Sequence, residues 1–594
     1  MARTFVEGSE PAPLGADEHV LARLWSRADD APDRTIFSVP EQGLWREVTW
    51  SELTDSVRRT AAALVAAGVA PGDRVGLMSP TRMEWAVSDL AILAAGAVTV
   101  PLYDTSSTDQ CRAILADSGA RLVFVADEEL AQRVHDVSDA DVVVFDDGGL
   151  TELGGRGGSA EQDEVGRRLE ALTVDDIATI VYTSGTTGDP KGCVITHGNL
   201  AWTVRQTRDH LGTVLAAGGS LVQFLPLAHI FARLIQFVCL DRDVVVAFPS
   251  SPDDPREDFR SFRPTFLLGV PRVFEKVYEA ARRQAGGGVG GALFGAAASA
   301  ARSWSTAERP GPLVRLRRQL FEPLVYTKLR RALGGRVRYC VSGGAPLAPD
   351  LAHFFRGAGV PILEGYGLTE TTAPATVNTP AATRIGSVGR PLPGVSVRID
   401  DDEILVKGGN VFQRYFHDDA RTSDDFDGDW FRTGDLGELD DEGYLYVKDR
   451  KKELIVTASG KIVAPAPLEE AVAEHRLVSQ AMVVGDRQRF VAALVTLDED
   501  ELSGFADRHG LRGDRLKDHE RVRAEVSQAV EYANRLVSRA ESIREFAILD
   551  REFTVEDGEL TPTLKLRRRD IAERFADEID ALYRTEDVER TSGG

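Results

Sequence analysis

Apolar residues recur at helical spacing in "WSELTDSVRRTAAALVAAGV", residues 50–69, and Ser51 at its start is a residue type that caps helices. The short apolar run "DRVGLMS" then predicts a buried strand. "WAVSDLAILAAGAV" predicts a second helix, and "RLVFVAD" and "DVVVFDD" two more strands. Helix and strand patterns alternate in this way through the first two-thirds of the chain. Such alternation predicts an α/β fold, with parallel strands covered by helices on both faces. Residues 146–166, "DDGGLTELGGRGGSAEQDEVG", are polar and glycine-rich and read as a surface loop. Around 436–448 the pattern shifts to short strands separated by turn residues, and a charged knot, "DRKKELI", follows at 449–455. Beyond it "SQAMVVGD" and "FVAALVTL" predict strands among helices rich in Glu and Arg. The knot divides the chain into a large domain, 1–448, a hinge, 449–455, and a small α+β domain, 456–594.

A chain of 594 residues, 43% hydrophobic and 27% charged, builds several units and a large core. Its net charge of −23 argues against bulk binding of nucleic acid, which needs a basic face. One stretch goes against that balance. Residues 313–338 carry eight basic side chains and one acid, just after the Gly/Ala-rich segment 286–301. This segment is either a solvated helix face or a dock for an anionic membrane surface. The longest apolar run, "LAILAAGAVTVPLY", is too short and too broken to span a bilayer, so a lipid contact would be peripheral. The N-terminus has acids early and no apolar h-region, unlike a signal peptide. Cys111, Cys193, Cys239 and Cys340 are scattered without a C-x-x-C pair, which suits a reducing cytoplasm rather than a disulfide framework or a zinc site.

The candidate chemistry starts at "YTSGTTGDPKG", residues 182–192. The G-x-x-x-x-G-K-[ST] spacing is missing, because Gly192 follows Lys191. Strand patterns stand on both sides, "IATIVYT" and "GCVITH", so no helix N-terminus backs this loop. Anion affinity would come from backbone N–H groups freed by Gly185 and Gly188, from the hydroxyls of Ser184, Thr186 and Thr187, and from Lys191. By itself the loop reads equally well as a plain turn. Three further segments keep it company. The glycines of "SGGAPL", 342–347, let a flat ring approach the backbone. "EGYGLTET", 364–371, offers an aromatic face, a hydroxyl and a carboxylate suited to magnesium. "RTGDLG", 432–437, puts Asp435 after a glycine turn, where a carboxylate can accept both ribose hydroxyls.

In this order, from about residue 20 to about 585, the segments resemble the acyl-adenylate-forming superfamily of acyl-CoA synthetases, peptide-synthetase adenylation domains and luciferases. The resemblance implies a large domain of stacked αβα sheets with a small β-barrel-like part, and a small mobile C-terminal domain. It also implies two steps: a carboxylate attacks the α-phosphate of ATP, giving acyl-AMP and pyrophosphate, and a thiol then takes the acyl group. Thr183, Ser184, Gly185, Thr186, Thr187, Gly188 and Lys191 would cradle the phosphates, with Thr186 also counted as catalytic. Gly343, Gly344, Ala345 and Tyr366 would frame adenine, with Glu364, Gly365 and Gly367 in the same nucleotide site. Thr369 would touch phosphate, Glu370 would hold Mg2+, and Asp435 and Arg450 would hold the ribose. His229, in "LPLAHIFAR", would stand near the carboxylate and the α-phosphate, and Lys565, in "GELTPTLKLRR", would stabilise charge in the adenylation step. Lys452 matches the hinge position and Gly460 the loop that faces the pantetheine channel of coenzyme A. One position departs from the pattern: "VFQRYF" has Arg414 where the family carries a glycine.

"GVPRVFEKVYEAA", 269–281, and "YTKLRRALGG" resemble the bacterial long-chain fatty acyl-CoA synthetases. No carrier-domain pattern such as G-G-x-S follows, so the expected acceptor is free coenzyme A and the expected acid a long-chain fatty acid. A ligase that loads an acyl-carrier protein and a nucleotide-binding regulatory protein without turnover are the alternatives. Neither chain length nor oligomeric state follows from the sequence.

Overall fold

The computed structural model describes residues 3–184, 190–252, 254–286, 288–458, 460–512, 515–539, 541–561 and 565–591. Two compact units are present. The larger comprises Met1–Asp400, Leu405–Thr433 and Leu439–Tyr446, and the smaller Asp401–Ile404, Gly434–Glu438 and Val447–Gly594.

In the larger unit the first long helix, α1 (Trp50–Ala66), is capped by Thr49 and not by Ser51. The Thr49 hydroxyl accepts from the Glu52 amide, and the Glu52 carboxylate accepts from the Thr49 amide. The T-x-x-E spacing of a capping box was the signal, and Ser51 lies inside the first turn. The strand β1 (Arg74–Met78) and the helix α2 (Met83–Ala94) follow. Every residue of α2 from Trp85 to Ala94 is buried, which is why it is apolar all round. The apolar run continues past the helix, but from Val98 it is already strand β2 (Val98–Leu102). Strands β3 (Leu122–Val125) and β4 (Asp141–Val144) come next.

The 146–166 segment is not a loop. It holds a short helix, Gly149–Gly154, and most of α3 (Ser159–Ala171). Only Leu153 and Val165 bury apolar side chains there, so the helical stripe is faint in the sequence. A Cβ on Gly157 would meet Ala62 of α1 at 2.7 Å, so this glycine serves close packing and not looseness.

Strands β5 (Ile177–Ser184) and β6 (Pro190–Thr196) form an antiparallel hairpin at one side of a seven-stranded sheet. The order is Arg414–Tyr415, β6, β5, β2, β1, β3, β4, and the four strands from β2 to β4 are mutually parallel. Arg414 takes an ordinary strand position opposite Val194 and not a turn, so no glycine is needed there.

The helix α4 (Ile230–Asp241) is largely apolar and buried, with Arg233 in its first turn, Gln236 further along and Asp241 at its end. Arg233 and Asp89 of α2 are both fully buried and paired twice, Nη2 to Oδ1 at 2.5 Å and Nε to Oδ2 at 2.8 Å. Thr99 of β2 donates to Asp89, and Arg233 donates to Thr179 of β5. A single buried network therefore ties α2, β2, β5 and α4.

A second sheet has β7 (Phe266–Gly269), β8 (Tyr339–Ser342) and β9 (Ile362–Leu368) parallel, then β10 (Ala373–Val377) and Arg390–Pro391 antiparallel. Against it pack α5 (Gly288–Thr306) and α7 (Pro349–Ala358), around a core of Phe274, Phe294, Tyr326, Phe354 and Phe355, while α6 (Pro312–Leu320) lies along α5. The expected small β part includes Phe5–Glu7 paired with Ser396–Asp400.

The smaller unit is α+β. Val478–Val484 and Val491–Leu497 pair antiparallel, and Ile543–Ile548 joins the second in parallel. Helices Pro465–Ala473 and Glu520–Asn534 cover them through Leu468, Val472, Val526 and Val530. Among the described residues, no helix is long and apolar enough to cross a membrane.

Candidate nucleotide and acyl site

The β5–β6 hairpin brings Thr183 opposite Lys191 and Ser184 opposite Pro190, so the phosphate-type loop does join two strands. Gly185, Thr186, Thr187 and Gly188, with the Ser184 side chain, lie outside the described residues. The Lys191 ammonium lies 5.8 Å from the centre of the Tyr415 ring. The Tyr415 hydroxyl donates to Glu370 Oε1 at 3.2 Å. The loop lysine and the expected magnesium carboxylate thus converge on one tyrosine. Burial pushes the Tyr415 phenol well above its ordinary value, and the Glu370 charge adds to that. It therefore stays protonated and donating across the physiological range.

Glu370 sits on the 3-10 turn Thr369–Thr371, which also places Thr369. Behind it Thr372 (φ 49°) and Ala373 (φ 72°) both take left-handed backbone, a strained choice for a β-branched residue. The turn is held by Thr371 Oγ1 donating to the Ala373 carbonyl and by Asn410 Nδ2 donating to the Thr371 carbonyl. It also needs Gly367, where a Cβ would lie 1.8 Å from the Ala373 oxygen. Among the described residues no three His, Cys, Asp or Glu side chains cluster as metal ligands. A single oriented carboxylate fits magnesium, which keeps waters and takes its other oxygens from phosphates.

The glycine segments meet from two strands. Ser342 and Glu364 are register partners on β8 and β9. A Cβ on Gly343 would lie 3.4 Å from the Gly365 carbonyl and from the Phe231 ring, while Ala345 is exposed and Tyr366 half-buried in β9. Gly344 (φ +84°) turns the chain out of β8. Phe231 comes from the first turn of α4, so His229 belongs to the same neighbourhood. His229 caps α4, and its Nδ1 accepts from the Phe231 amide at 3.2 Å. A neutral imidazole that accepts at Nδ1 carries its proton on Nε2, where it is a donor. The approach to His229 is fixed by Thr81, whose hydroxyl donates to the Leu225 carbonyl and accepts from the Leu227 amide.

The remaining candidates lie in the smaller unit. Arg450 Nε donates to Asp435 Oδ1 at 2.9 Å, so the two expected ribose residues are paired. Glu403, which sequence reasoning did not single out, accepts from the Gly434 amide and pairs with Lys451 on either side of them. Lys452 is exposed, and Gly460 (φ +80°) lies between the strands Ile455–Val456 and Ile462–Val463. Lys565 is exposed, on a loop closed by its own backbone: the Thr561 amide donates to the Lys565 carbonyl, and the Lys565 amide to Thr561 Oγ1.

The base of that loop is Glu559, fully buried, with both oxygens taken by Arg551 at 2.6 Å and the Thr554 amide on Oε2. Removing this carboxylate strips Arg551 of its two-point partner, leaving it the Glu552 carbonyl and Asp557, and takes the acceptor from the Thr554 amide. Glu559→Ala is expected to destabilise the smaller unit by about 1–3 kcal/mol. Urea denaturation followed on that unit checks it, and an unchanged midpoint would mean the loop is held by other contacts.

Residues 24–416 match the AMP-binding enzyme family, and residues 452–587 match the AMP-binding enzyme C-terminal domain. A long-chain-fatty-acid–CoA ligase of Mycobacterium tuberculosis, FadD15, is 44% identical over 599 residues, covering 98% of this chain and 100% of that protein. The human long-chain-fatty-acid–CoA ligase ACSBG1 is 29% identical, over 95% of this chain and 85% of that protein. Among solved structures, the adenylation domain of a carboxylate reductase from Mycobacterium chelonae shares the fold with a TM-score of 0.74 at 24% identity, over 95% of this chain and 91% of that one. The o-succinylbenzoate coenzyme A synthetase of Bacillus subtilis, solved with ATP and magnesium, shares it with a TM-score of 0.67 at 23% identity, over 92% and 98%. With both parts of the chain matched in order, this protein belongs to the AMP-binding enzyme family.

Proposed function

We propose that this protein is an ATP-dependent ligase that activates a long-chain fatty acid as acyl-AMP and transfers the acyl group to coenzyme A. The observation that carries it is the 44% identity to a long-chain-fatty-acid–CoA ligase along nearly the whole chain. In the first step a carboxylate oxygen bonds to the α-phosphorus and the bond to the leaving pyrophosphate breaks. Lys191 and the hairpin loop hold that pyrophosphate, and Glu370, oriented by Tyr415, holds Mg2+. When bound, magnesium neutralises phosphate charge. The Nε2–H of His229 donates toward the carboxylate and the α-phosphate. Asp435, braced by Arg450, accepts the ribose hydroxyls, and Gly343, Gly344, Ala345 and Tyr366 frame the adenine. In the second step the coenzyme A sulfur bonds to the acyl carbon and AMP leaves.

The reading includes a mobile C-terminal domain, 456–594, that turns on the hinge 449–455. Lys565 serves the adenylation step, and the Gly460 loop serves the thioester step. It also includes a cytoplasmic protein in peripheral contact with the membrane.

AMP release measured over a series of fatty acids, with coenzyme A, with holo-carrier protein and with neither, tests this reading. Each buried methylene contributes about 0.8 kcal/mol, so laurate is expected to lose about 3 kcal/mol against palmitate, roughly a hundredfold in kcat/KM. Equal kcat/KM for butyrate and palmitate would rule out the long-chain assignment. Thioester on the carrier and none on coenzyme A would move the acceptor.

A further inference from the structure

Helix α6 buries none of its residues. Leu313, Leu316 and Leu320 are 82%, 55% and 60% exposed, and Leu324, on the π-helical turn that continues the helix, is 47% exposed. Steps of three, four and four residues set these leucines on one stripe. Val289 and Leu293 of the neighbouring α5 are exposed as well. Of the twelve large apolar side chains exposed among the described residues, six fall between 289 and 324. Scattered exposed leucines are ordinary, whereas a row of them marks a contact surface.

The structure also sorts the basic run. Arg318 Nε donates to the Gly357 carbonyl and Arg330 Nη1 to the Ala358 carbonyl, at the C-terminal end of α7. Those two cations serve the fold, where a helix end favours positive charge. Arg315, Arg317, Lys328 and Arg331 are exposed. An apolar stripe with exposed cations, on a chain of net charge −23, selects a surface that is apolar beneath and anionic on top. A second copy fits poorly, because a two-fold contact through α6 would set the same arginines against each other.

We propose that α6 docks this protein on an anionic lipid bilayer, with Leu313, Leu316, Leu320 and Leu324 inserted at the headgroup–acyl boundary and Arg315, Arg317, Lys328 and Arg331 on the headgroups. This rests on the peripheral contact named above and assigns it a face. It places the enzyme where a long-chain acid dissolves.

Flotation of the full chain with phosphatidylcholine vesicles, with and without phosphatidylglycerol, tests it without any turnover. The protein is expected to bind the anionic vesicles and to release in high salt. Leu316→Ser with Leu320→Ser is expected to cut partitioning about tenfold or more. Arg317→Gln with Arg331→Gln is expected to remove the preference for phosphatidylglycerol. All these positions are exposed, so AMP release on monomeric laurate in free solution, without vesicles, should be unchanged. A Leu316→Trp variant should be quenched by lipids spin-labelled near the headgroup. Leucine variants that partition within about twofold of the parent, an unquenched tryptophan, or no vesicle binding by an active enzyme each overturn the proposal. So does a leucine variant that changes only the oligomeric state, or only the capture of an acidic protein. Vesicle binding without any AMP release would instead leave the dock standing and sink the ligase reading.

Discussion

Lys565→Ala is expected to slow acyl-AMP formation about 10²–10³-fold, while thioester formation from supplied acyl-AMP stays within about tenfold of the parent. The size follows from the work assigned to the ammonium. Charge grows on the α-phosphate and the departing pyrophosphate only during adenylation, and a preorganised cation aimed at growing charge contributes roughly 3–4 kcal/mol. The selectivity follows from placing Lys565 on the mobile domain, which serves the two steps in different poses. The structure makes the experiment clean. Lys565 is exposed, and its backbone bonds to Thr561 and the Glu559–Arg551 pair do not use its side chain, so truncation leaves them in place. Rapid-quench measurement of each half-reaction reads the split directly. If both half-reactions slow equally in a folded variant, the domain-alternation reading fails.

How much of this was legible in the chain depends on what kind of contact was involved. The strands β1, β3 and β4 and the β5–β6 hairpin follow from short apolar runs with turn residues around them, because a buried strand leaves that local trace. The helices of 146–166 leave none. Their packing relies on Leu153, Val165 and a glycine pressed on Ala62, and glycine reads as loop until a neighbour is seen. The Thr49 cap is legible as T-x-x-E, although Ser51, two residues on, offers the same hydroxyl to a reader of the sequence. The basic run 313–338 shows a different limit. Counting charges cannot separate Arg318, which holds the end of another helix, from Arg317, which faces solvent. In the site, Lys191 and Glu370 were found through motif order. Tyr415, which joins them, stands far from both in the chain and is brought there only by strand pairing with β6. Glu403 was invisible for the same reason, since its partners are a backbone amide and Lys451.

The buried pair beneath this site gives the second large effect. Asp89→Ala is expected to destabilise the larger unit by about 3–5 kcal/mol, because it leaves the Arg233 guanidinium uncompensated in the core. Both side chains are fully shielded from solvent, so water cannot take over the lost contacts without opening the packing of α2 on α4. Thr179 and Thr99 accept or donate within the network but carry no charge to replace the carboxylate. Arg233 also stands one turn after His229 on α4, and Thr179 lies on β5, the strand that leads into the phosphate hairpin. Loss of the pair therefore disturbs the two elements that position His229 and Lys191, and residual activity should fall with stability. The double variant Asp89→Leu with Arg233→Met separates charge from shape. It removes both ions and keeps apolar volume, so it is expected to recover most of the stability lost by Asp89→Ala. Urea denaturation of the parent and of both variants measures the difference. An Asp89→Ala cost below about 1 kcal/mol would mean that Arg233 finds another partner or reaches water, and the buried network would not be what ties α4 to the sheet.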